Sequence, residues 1–428
     1  MALGSIVNLL APLDRLTKGM PAGANALPIN EVETQRWNLL REDLSLPVAI
    51  LRQSALDRNA RWMQRFCEIS GVKLAPHGKT TMSPQLFDQQ MKAGVWAITV
   101  ATLQQVRVCR EFGHDRIILA NQLVGRQAID YIALELRDNA AFEFFCLVDS
   151  IEGVDQLTDA LSRHQIGRRL NVLVEGGYRG GRTGCRTIEE AVAVARVVQL
   201  SSELALRGVE GFEGLNPNAR TEDVHRFLQY LVEIAEACDR EKLFDEIGPV
   251  IMSAGGSAFF DVVASTLLKA SLSRPFEVVT RSGCYISLDA AMYTHAVGRV
   301  LDRNDNLSEL GPTPTNALEV WAYVQSRPES TKVILTAGKR DLSYDVHLPV
   351  ALHWSRPSEG IAAIPAGHTI VALNDQHAHM TVPADSPLRV GDLVGLGISH
   401  PCTTFDKWQA IFLVDDSYNV VGAVRTFF

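Results

Sequence analysis

Short β-rich runs alternate with helix-like segments through the middle of the chain, and no other feature constrains the fold as much. Eight runs have the length and branched apolar content of strands, namely residues 73–79, 96–102, 116–122, 144–150, 171–177, 208–214, 250–256 and 276–285. Helical spacing fills the gaps, for example at 84–93, 126–137, 187–200 and 221–240. Eight strand–helix units predict a closed (β/α)8 barrel of the TIM type, in preference to an open doubly wound sheet.

The pattern changes near residue 312, after which short strand-like runs follow one another with few helical segments between them. These runs predict strands at 317–326, 331–337, 369–373, 393–398, 410–414 and 420–426. Residues 48–52 also have strand character and precede a helix predicted at 54–69, so this strand can pair with the later ones. We therefore predict an N-terminal extension (1–45), a barrel domain (46–300) and a C-terminal β domain (301–428).

The composition excludes several classes of function. A formal net charge of −8 and a sequence pI near 5.8 argue against a nucleic-acid binder, which needs a basic face. No apolar stretch is long enough for a membrane span, and the N-terminus has no secretory leader pattern. Seven cysteines lack the spacing of a zinc ribbon or a disulfide framework. These features predict a cytoplasmic protein with neither nucleic acid nor a membrane as partner.

Lys79 lies in the segment PHGKT, at the carboxyl end of the first predicted barrel strand. Barrel enzymes build their active sites at that end of the strands. A lysine that is desolvated among apolar neighbours has a lowered pKa and can attack an aldehyde as the free amine. The alternative is a solvated surface lysine, which is favoured when Lys79 is judged on chemistry alone.

Two later strand ends have the composition of a phosphate site. The segment Gly255-Gly256-Ser257 follows the seventh strand and precedes a helix predicted from residue 258. Backbone N–H groups there can bind an anion, and Ser257 can cap the helix and donate. Gly283 and Tyr285 close the eighth unit, which neighbours the same site in such barrels. The alternative for a lone Gly-Gly pair is an ordinary tight turn.

The loop at 175–186, EGGYRGGRTGCR, is rich in glycine and arginine. One of its arginines can hydrogen-bond a phenolate or carboxylate, because the glycines let the backbone come close. The alternative is a flexible, solvated basic loop, and that interpretation holds best for Arg179 and Arg186.

His400 and Cys402 are two residues apart in the segment SHPC. On an extended segment both side chains point the same way, so both can ligate one cation, completed by water, another residue or substrate. The alternative, favoured when the motif is judged alone, is a buried cysteine beside a surface histidine. His377 and His379 are interpreted as exposed loop histidines rather than ligands.

Taken together, these segments resemble the D-serine dehydratase and D-threonine aldolase group of fold-type III pyridoxal-phosphate enzymes, which are related to the alanine racemases. The resemblance runs from about residue 46 to the C-terminus and rests on the shared order of six motifs. In this sequence they read LPVAILRQSALDRNARWM, PHGKT, GGRTG, SAGGSAFFD, SGCYISLD and SHPCTTFD.

The resemblance implies a set of roles for these residues. It implies a Schiff base between pyridoxal 5′-phosphate and Lys79, with Arg182 near the oxygen on the pyridine ring. It places Gly255, Gly256, Ser257, Gly283 and Tyr285 around the phosphate, and a divalent metal, expected to be Zn²⁺, at His400 and Cys402. A homodimer is implied as well.

Four features depart from the pattern of the group, namely Ala75, the pair Thr81-Met82, Gly177 and Thr336. They stand where the group more often has a basic residue, a His-Lys pair, an acidic residue and an aspartate. They bear on the substrate rather than on the cofactor, and they favour a divergent subgroup similar to the bacterial D-serine deaminases.

The activity implied is a lyase that converts D-serine, or a related D-3-hydroxy amino acid, to a 2-oxo acid and ammonia. The alternative is an aldolase that cleaves D-threonine-type substrates to glycine and an aldehyde, but aldolases of the group more often have aspartate where Cys402 stands. A racemase is disfavoured, since it has no use for a metal on a hydroxyl. A non-catalytic carrier of pyridoxal phosphate is disfavoured because such carriers lack the β domain.

Overall fold

The computed structural model describes residues 11–215, 220–356 and 359–428. The chain divides into two compact units. The strand unit comprises Met1–Met63, Thr80–Gln90 and Cys284–Phe428, and the barrel unit comprises Gln64–Lys79 and Met91–Gly283. In these ranges no helix has the length and apolar content to cross a bilayer. The first ten residues of the predicted N-terminal extension lie outside the described residues, and the predicted domain boundaries stay a prediction.

The elements of the described residues are numbered in chain order. The strands are β1 (Val48–Arg52), β2 (Lys73–Leu74), β3 (Ile98–Val100), β4 (Arg116–Gln122), β5 (Glu143–Val148), β6 (Leu170–Gly176), β7 (Leu204–Gly211), β8 (Val250–Ala254), β9 (Phe276–Thr280), β10 (Leu318–Glu329), β11 (Lys332–Leu335), β12 (Val350–Arg356), β13 (Gly360–Ala363), β14 (Thr369–Leu373), β15 (Ala378–Thr381), β16 (Leu393–Gly397), β17 (Ala410–Val414) and β18 (Val420–Arg425). The helices are α1 (Gln53–Ser70), α2 (Pro84–Lys92), α3 (Leu103–Glu111), α4 (Arg126–Asp138), α5 (Ile151–Leu161), α6 (Ile188–Leu200), α7 (Thr221–Arg240), α8 (Phe260–Leu267), α9 (Met292–Arg303) and α10 (Cys402–Phe405).

The barrel unit contains an eight-stranded sheet in the order β2-β9-β8-β7-β6-β5-β4-β3, and all its pairings are parallel. Backbone hydrogen bonds connect its two outer strands: Trp96 N–H donates to the Leu74 carbonyl at 2.8 Å, and Thr99 N–H donates to the Pro76 carbonyl at 2.9 Å. The sheet is thus closed on itself, and the predicted barrel is confirmed.

The barrel interior is filled by apolar side chains that alternate along the strands. Phe145 and Leu147 both point inward from β5, as the two-residue period of a strand requires. The interior cluster consists of Ala75, Ala97, Ile118, Phe145, Leu147, Leu173, Ile251 and Val279. These apolar side chains pack the centre, so the barrel is a core and not a pore.

The strand unit contains a ten-stranded sheet whose main path runs β13-β12-β16-β10-β1-β17-β18. Strand β1 pairs antiparallel with β10 and parallel with β17, while β11, β14 and β15 extend the sheet from β10. Trp321 of β10 is fully buried and lies opposite Gly395 of β16, where a Cβ atom would come within 2.7 Å of the indole. The prediction of a C-terminal domain made mostly of strands is confirmed.

Three details of the sequence interpretation are wrong. Strand β2 ends at Leu74 rather than near residue 79, since the chain turns into a 3-10 helix at Gly78–Thr80. Strands β12, β13 and β15 lie where no strand was predicted. His379 belongs to β15, between β11 and β14, and its Nε2 bonds to Asn374 at 2.6 Å. Small and polar residues obscure the apolar alternation of these three strands.

Replacement of Leu173 tests whether the barrel interior stabilises this protein. Leu173 is fully buried in the interior cluster, so Leu173→Ala leaves a cavity and is expected to lower the free energy of unfolding by about 2–5 kcal/mol. Leu200→Ala is the matched control, because that leucine is 85 % exposed at the end of α6. Urea unfolding followed by circular dichroism measures both, and equal losses would contradict the packing described.

Candidate active site

The segment PHGKT continues β2 past its last ladder pair. Ala75 N–H donates to the Thr280 carbonyl at 2.8 Å, and His77 N–H donates to the Arg281 carbonyl at 3.3 Å. The 3-10 turn at Gly78–Thr80 then places Lys79, which is half-buried. Lys79 therefore follows the carboxyl end of a barrel strand, although it lies in a turn and not in the strand itself.

Gly283 allows this segment to lie close to the end of β9. A Cβ atom at position 283 would fall 2.6 Å from the His77 carbonyl oxygen and 2.7 Å from the His77 Cβ. The carbonyl oxygen belongs to the backbone and Cβ is the first side-chain atom, so rotation of the His77 side chain cannot move either atom away. A glycine is required here by close approach, which is a packing reason separate from any contact with phosphate.

Three cations surround the imidazole of His77. Its pKa is lowered well below the ordinary value, first by desolvation and then by the positive charges of Lys79, Arg281 and Arg182. Within the described residues the buried Nδ1 of His77 has no hydrogen-bond partner. The structure thus brings together two residues predicted from the sequence, Lys79 and Arg182, and it adds Arg281.

The glycine- and arginine-rich loop is folded onto itself. The Arg186 guanidinium donates to the carbonyl of Gly184 at 2.8 Å and to that of Gly181 at 3.2 Å. Gly184 N–H donates to the Asp149 carboxylate at 2.9 Å. The alternative of a flexible, solvated loop is therefore wrong for Arg186, whose side chain holds the loop, while Arg182 lies over the ring of Phe212 at 5.8 Å.

The glycine pair after β8 binds a carboxylate. Gly255 N–H and Gly256 N–H donate to the two oxygens of Glu213 at 3.0 and 2.8 Å, and Gly255 has the left-handed φ of +110° that favours glycine. Burial raises the pKa of Glu213, and the hydrogen bonds from Gly256 and Gly255 oppose that rise. Two N–H groups that converge on one carboxyl group are more than an ordinary tight turn. The helix begins at Phe260 with Phe259 at its N-cap, so the expectation that Ser257 caps it is wrong.

A buried ion pair lies at the ends of β7 and β9, and the sequence analysis missed it. Arg281 and Glu210 contact each other with side chains only 1 % and 2 % exposed. Arg281 also donates to the Ser253 hydroxyl at 2.7 Å and to the Gly211 carbonyl at 3.0 Å. Burial raises the pKa of Glu210 to about 7, and Arg281 opposes that rise. The sequence does show charged residues at the ends of two predicted strands, in GVEGFEG and TRSG, and these could have indicated the ion pair.

His400 and Cys402 lie in the strand unit just after β16. Pro401 has helical dihedral angles (φ −56°) and α10 begins at Cys402, so the expectation of an extended segment is wrong. The two side chains nevertheless hydrogen-bond each other. The Nδ1 of His400 bonds to the Asp345 carboxylate at 2.6 Å, which fixes the plane of the imidazole.

A second thiol, from Cys284, lies beside Cys402 with 4.0 Å between the sulfur atoms. The Cys284 hydrogen bond lowers the pKa of Cys402 well below its usual range, and the bond to Cys402 raises the pKa of His400 to about 9. Among the residues that the structure describes, no three or more His, Cys, Asp or Glu side chains are grouped so as to hold a metal ion.

Tyr285 is buried in the strand unit, and its hydroxyl accepts a hydrogen bond from the Gln90 side chain at 3.2 Å. The contacts described for Gly255 and Gly256 belong to the barrel unit, and none of them involves Tyr285 or Ser257. The roles given to Tyr285 and Ser257 at the phosphate stay predictions.

Two family models match the chain. "Alanine racemase, N-terminal domain" matches residues 51–269, and "Putative serine dehydratase domain" matches residues 317–414. A D-threonine aldolase from Arthrobacter sp. is 24 % identical over 372 residues, which cover 86 % of this chain and 89 % of the aldolase. A D-threo-3-hydroxyaspartate dehydratase from Delftia sp. is 30 % identical over 141 residues, 33 % of this chain and 36 % of the dehydratase.

Solved structures share the fold. The D-threonine aldolase from Filomicrobium marinum superposes with a TM-score of 0.72 at 21 % identity, covering 90 % of this chain and 95 % of its own. A cysteine-to-alanine variant of D-threo-3-hydroxyaspartate dehydratase, in the metal-free form, superposes with a TM-score of 0.69 at 20 % identity. The match covers 92 % of this chain and 99 % of the dehydratase chain.

The buried carboxyl of Glu210 predicts a pH-dependent stability. Its pKa is about 7 in the folded chain and 4.5 ordinarily, so the folded state holds its proton to higher pH than the unfolded state. As the pH rises from about 5 to about 8, the free energy of unfolding of wild type is expected to fall by about 1–3 kcal/mol relative to that of Glu210→Gln. Urea unfolding of the cofactor-free protein measures this, with the exposed Glu222→Gln as control. If the difference in unfolding free energy between wild type and Glu210→Gln stays constant with pH, the raised pKa of Glu210 is contradicted.

Proposed function

The chain belongs to the alanine racemase N-terminal domain family of fold-type III pyridoxal-phosphate enzymes, and from that premise we propose a lyase acting on D-3-hydroxy amino acids. Its proposed reaction converts D-serine, or a related D-3-hydroxy amino acid, to a 2-oxo acid and ammonia. The observation that carries the proposal is the pair of backbone N–H groups at Gly255 and Gly256, which converge on one carboxyl group in the unit that contains Lys79.

The residues of the barrel unit fit pyridoxal phosphate. The two glycine N–H groups now hold the Glu213 carboxylate, so they suit an anionic group, and a phosphate is the anion the cofactor would bring. Lys79, Arg182 and Arg281 add positive charge around His77. The proposal assigns the Schiff base to Lys79, the ring oxygen to Arg182, and the phosphate to Gly255, Gly256, Ser257, Gly283 and Tyr285.

The bound cofactor would supply an electron sink for the charge that develops at the substrate Cα. The work left to the chain is proton transfer and orientation. The Lys79 amine is the group proposed to take the Cα proton, because it is a half-buried base that follows the carboxyl end of a barrel strand. Glu210, Ser253 and the Gly211 carbonyl hold the Arg281 side chain in one position. Arg281 therefore keeps a fixed positive charge at the strand ends.

The donor set at His400 and Cys402 fits a divalent metal. A cysteine sulfur and an imidazole are both donors that zinc accepts, and Asp345 holds the imidazole through Nδ1, which is the arrangement that orients a metal-binding histidine. A metal there would act as a Lewis acid on the β-hydroxyl of the substrate. Thiolate and imidazole favour Zn²⁺ over hard cations, so zinc remains part of the proposal.

An aldolase is the second candidate function. It is favoured by the similarity to the D-threonine aldolase, which extends over 86 % of this chain. Against it, Cys402 stands where such aldolases more often have aspartate. In the aldolase reaction a base removes the proton of the substrate hydroxyl, whereas in the dehydratase reaction the hydroxyl group is expelled.

Two further features belong to the proposal. A homodimer follows from the resemblance to the family. A reducing, cytoplasmic setting is supported by the cysteines, since all seven are free thiols.

A product assay separates the candidates. Purified holoenzyme is incubated with D-serine, D-threonine and D-threo-3-hydroxyaspartate, and with L-serine as the stereochemical control. The expected products from a D-substrate are a 2-oxo acid and ammonia, because hydroxide leaves and the resulting enamine hydrolyses. His400→Ala and chelator treatment are both expected to lower the rate at least tenfold while the cofactor stays bound. Glycine and an aldehyde without any 2-oxo acid would establish the aldolase instead.

A further inference from the structure

The carboxyl group of Glu213 binds the same two backbone N–H groups that the proposed function gives to the cofactor phosphate. One of its oxygens accepts from Gly255 N–H at 3.0 Å, and the other accepts from Gly256 N–H at 2.8 Å. Each N–H group has a single hydrogen, so it cannot make a straight hydrogen bond to this carboxyl group and to a phosphate at once. The Glu213 side chain and the phosphate therefore need the same position.

Glu213 is held less firmly than the other buried carboxyl groups at this rim of the barrel. Glu210 contacts the guanidinium of Arg281. Glu175 accepts a hydrogen bond from the Thr183 hydroxyl at 2.7 Å. The Glu213 side chain is also buried, yet among the described residues no side chain donates to it or forms an ion pair with it. Burial disfavours a carboxylate without a cationic partner, so Glu213 loses the least of the three when its carboxyl group moves.

A cavity within the barrel unit has room for the Glu213 carboxyl group in a second rotamer. The cavity measures about 430 Å³, and Glu213 forms part of its wall together with Arg179 and Arg226. Arg226 already contacts Asp223. Arg179 is exposed and has no ion-pair partner in the part of the chain that the structure describes. A carboxylate that turns into the cavity by side-chain rotation alone can therefore pair with Arg179.

We propose that the Glu213 carboxyl group competes with the cofactor phosphate for Gly255 and Gly256, and that it turns toward Arg179 when the phosphate binds. The inference rests on the phosphate position in the proposed function. The apparent affinity for a phosphate-bearing ligand is reduced by the fraction of molecules in which both N–H groups are free. A ligand without a phosphate does not need these groups, so its affinity is independent of Glu213.

Binding of pyridoxal 5′-phosphate to the full chain from which the cofactor has been removed tests the competition. The Kd, measured by quenching of tryptophan fluorescence, is expected to fall about tenfold or more in Glu213→Ala. It is expected to fall in Glu213→Gln as well, since the amide oxygen can accept from only one of the two N–H groups. Glu222→Ala, which removes an exposed carboxyl group from the first turn of α7, is the matched control and should keep the wild-type Kd.

Two analogues separate the phosphate from the rest of the cofactor. Pyridoxine 5′-phosphate has the phosphate but no aldehyde, so the gain in affinity in Glu213→Ala should persist. Pyridoxal has the aldehyde but no phosphate, so its Kd should be equal in wild type and Glu213→Ala. Arg179→Gln should raise the Kd for pyridoxal 5′-phosphate about twofold or more in wild type and leave it unchanged in the Glu213→Ala background, because the two side chains act as a pair.

An unchanged or higher Kd for pyridoxal 5′-phosphate in Glu213→Ala, or an equal gain in affinity for pyridoxal, would overturn the inference. Circular dichroism of each variant shows whether it is folded, and Glu213→Gln provides a second replacement of nearly equal volume. A chain that binds no pyridoxal 5′-phosphate would remove both this inference and the proposed function. A gain confined to phosphate-bearing ligands, in an enzyme inert on every hydroxy amino acid, would leave this inference standing and remove the proposed function.

Discussion

The closure of eight parallel strands is the constraint on which the rest of the barrel unit depends. Two hydrogen bonds, from Trp96 to the Leu74 carbonyl and from Thr99 to the Pro76 carbonyl, join the outer strands β2 and β3. Because all strands are parallel, closure brings every carboxyl end to one rim. The segments that carry Lys79, Arg182, Glu213, Gly255 and Arg281 all follow such ends, so their proximity is a consequence of topology rather than of any local motif.

The rim combines buried charge of both signs. Arg281 is almost inaccessible and is matched by Glu210, while the Glu213 carboxylate is held by two backbone N–H groups. Burial of an unpaired charge costs far more than a hydrogen-bonded pair, which explains why each carboxylate has a donor. The same arrangement leaves Lys79 and Arg182 near His77, whose pKa is lowered first by burial and then by the cations around it.

Much of the fold could be predicted from sequence, because buried parallel strands are continuous apolar runs that are hard to mistake. The bounds of β4 and α7 were predicted to the residue, whereas β12, β13 and β15 were missed because small and polar residues obscure their apolar alternation. For the site, glycine-rich strand ends gave the positions of Lys79 and Gly255. The partnership of Glu210 with Arg281, and that of Cys284 with Cys402, could not be predicted, since each joins segments far apart in the chain.

The central claim is that Lys79 carries the cofactor, and reduction with borohydride tests it most directly. The reduction fixes a lysine-bound pyridoxal group as a stable secondary amine, and peptide mass spectrometry then locates it. The account predicts a phosphopyridoxyl group on Lys79, and no labelled peptide in Lys79→Ala, with Lys92→Ala labelled like wild type. Labelling at another lysine, or a protein that retains no pyridoxal phosphate, would contradict the account.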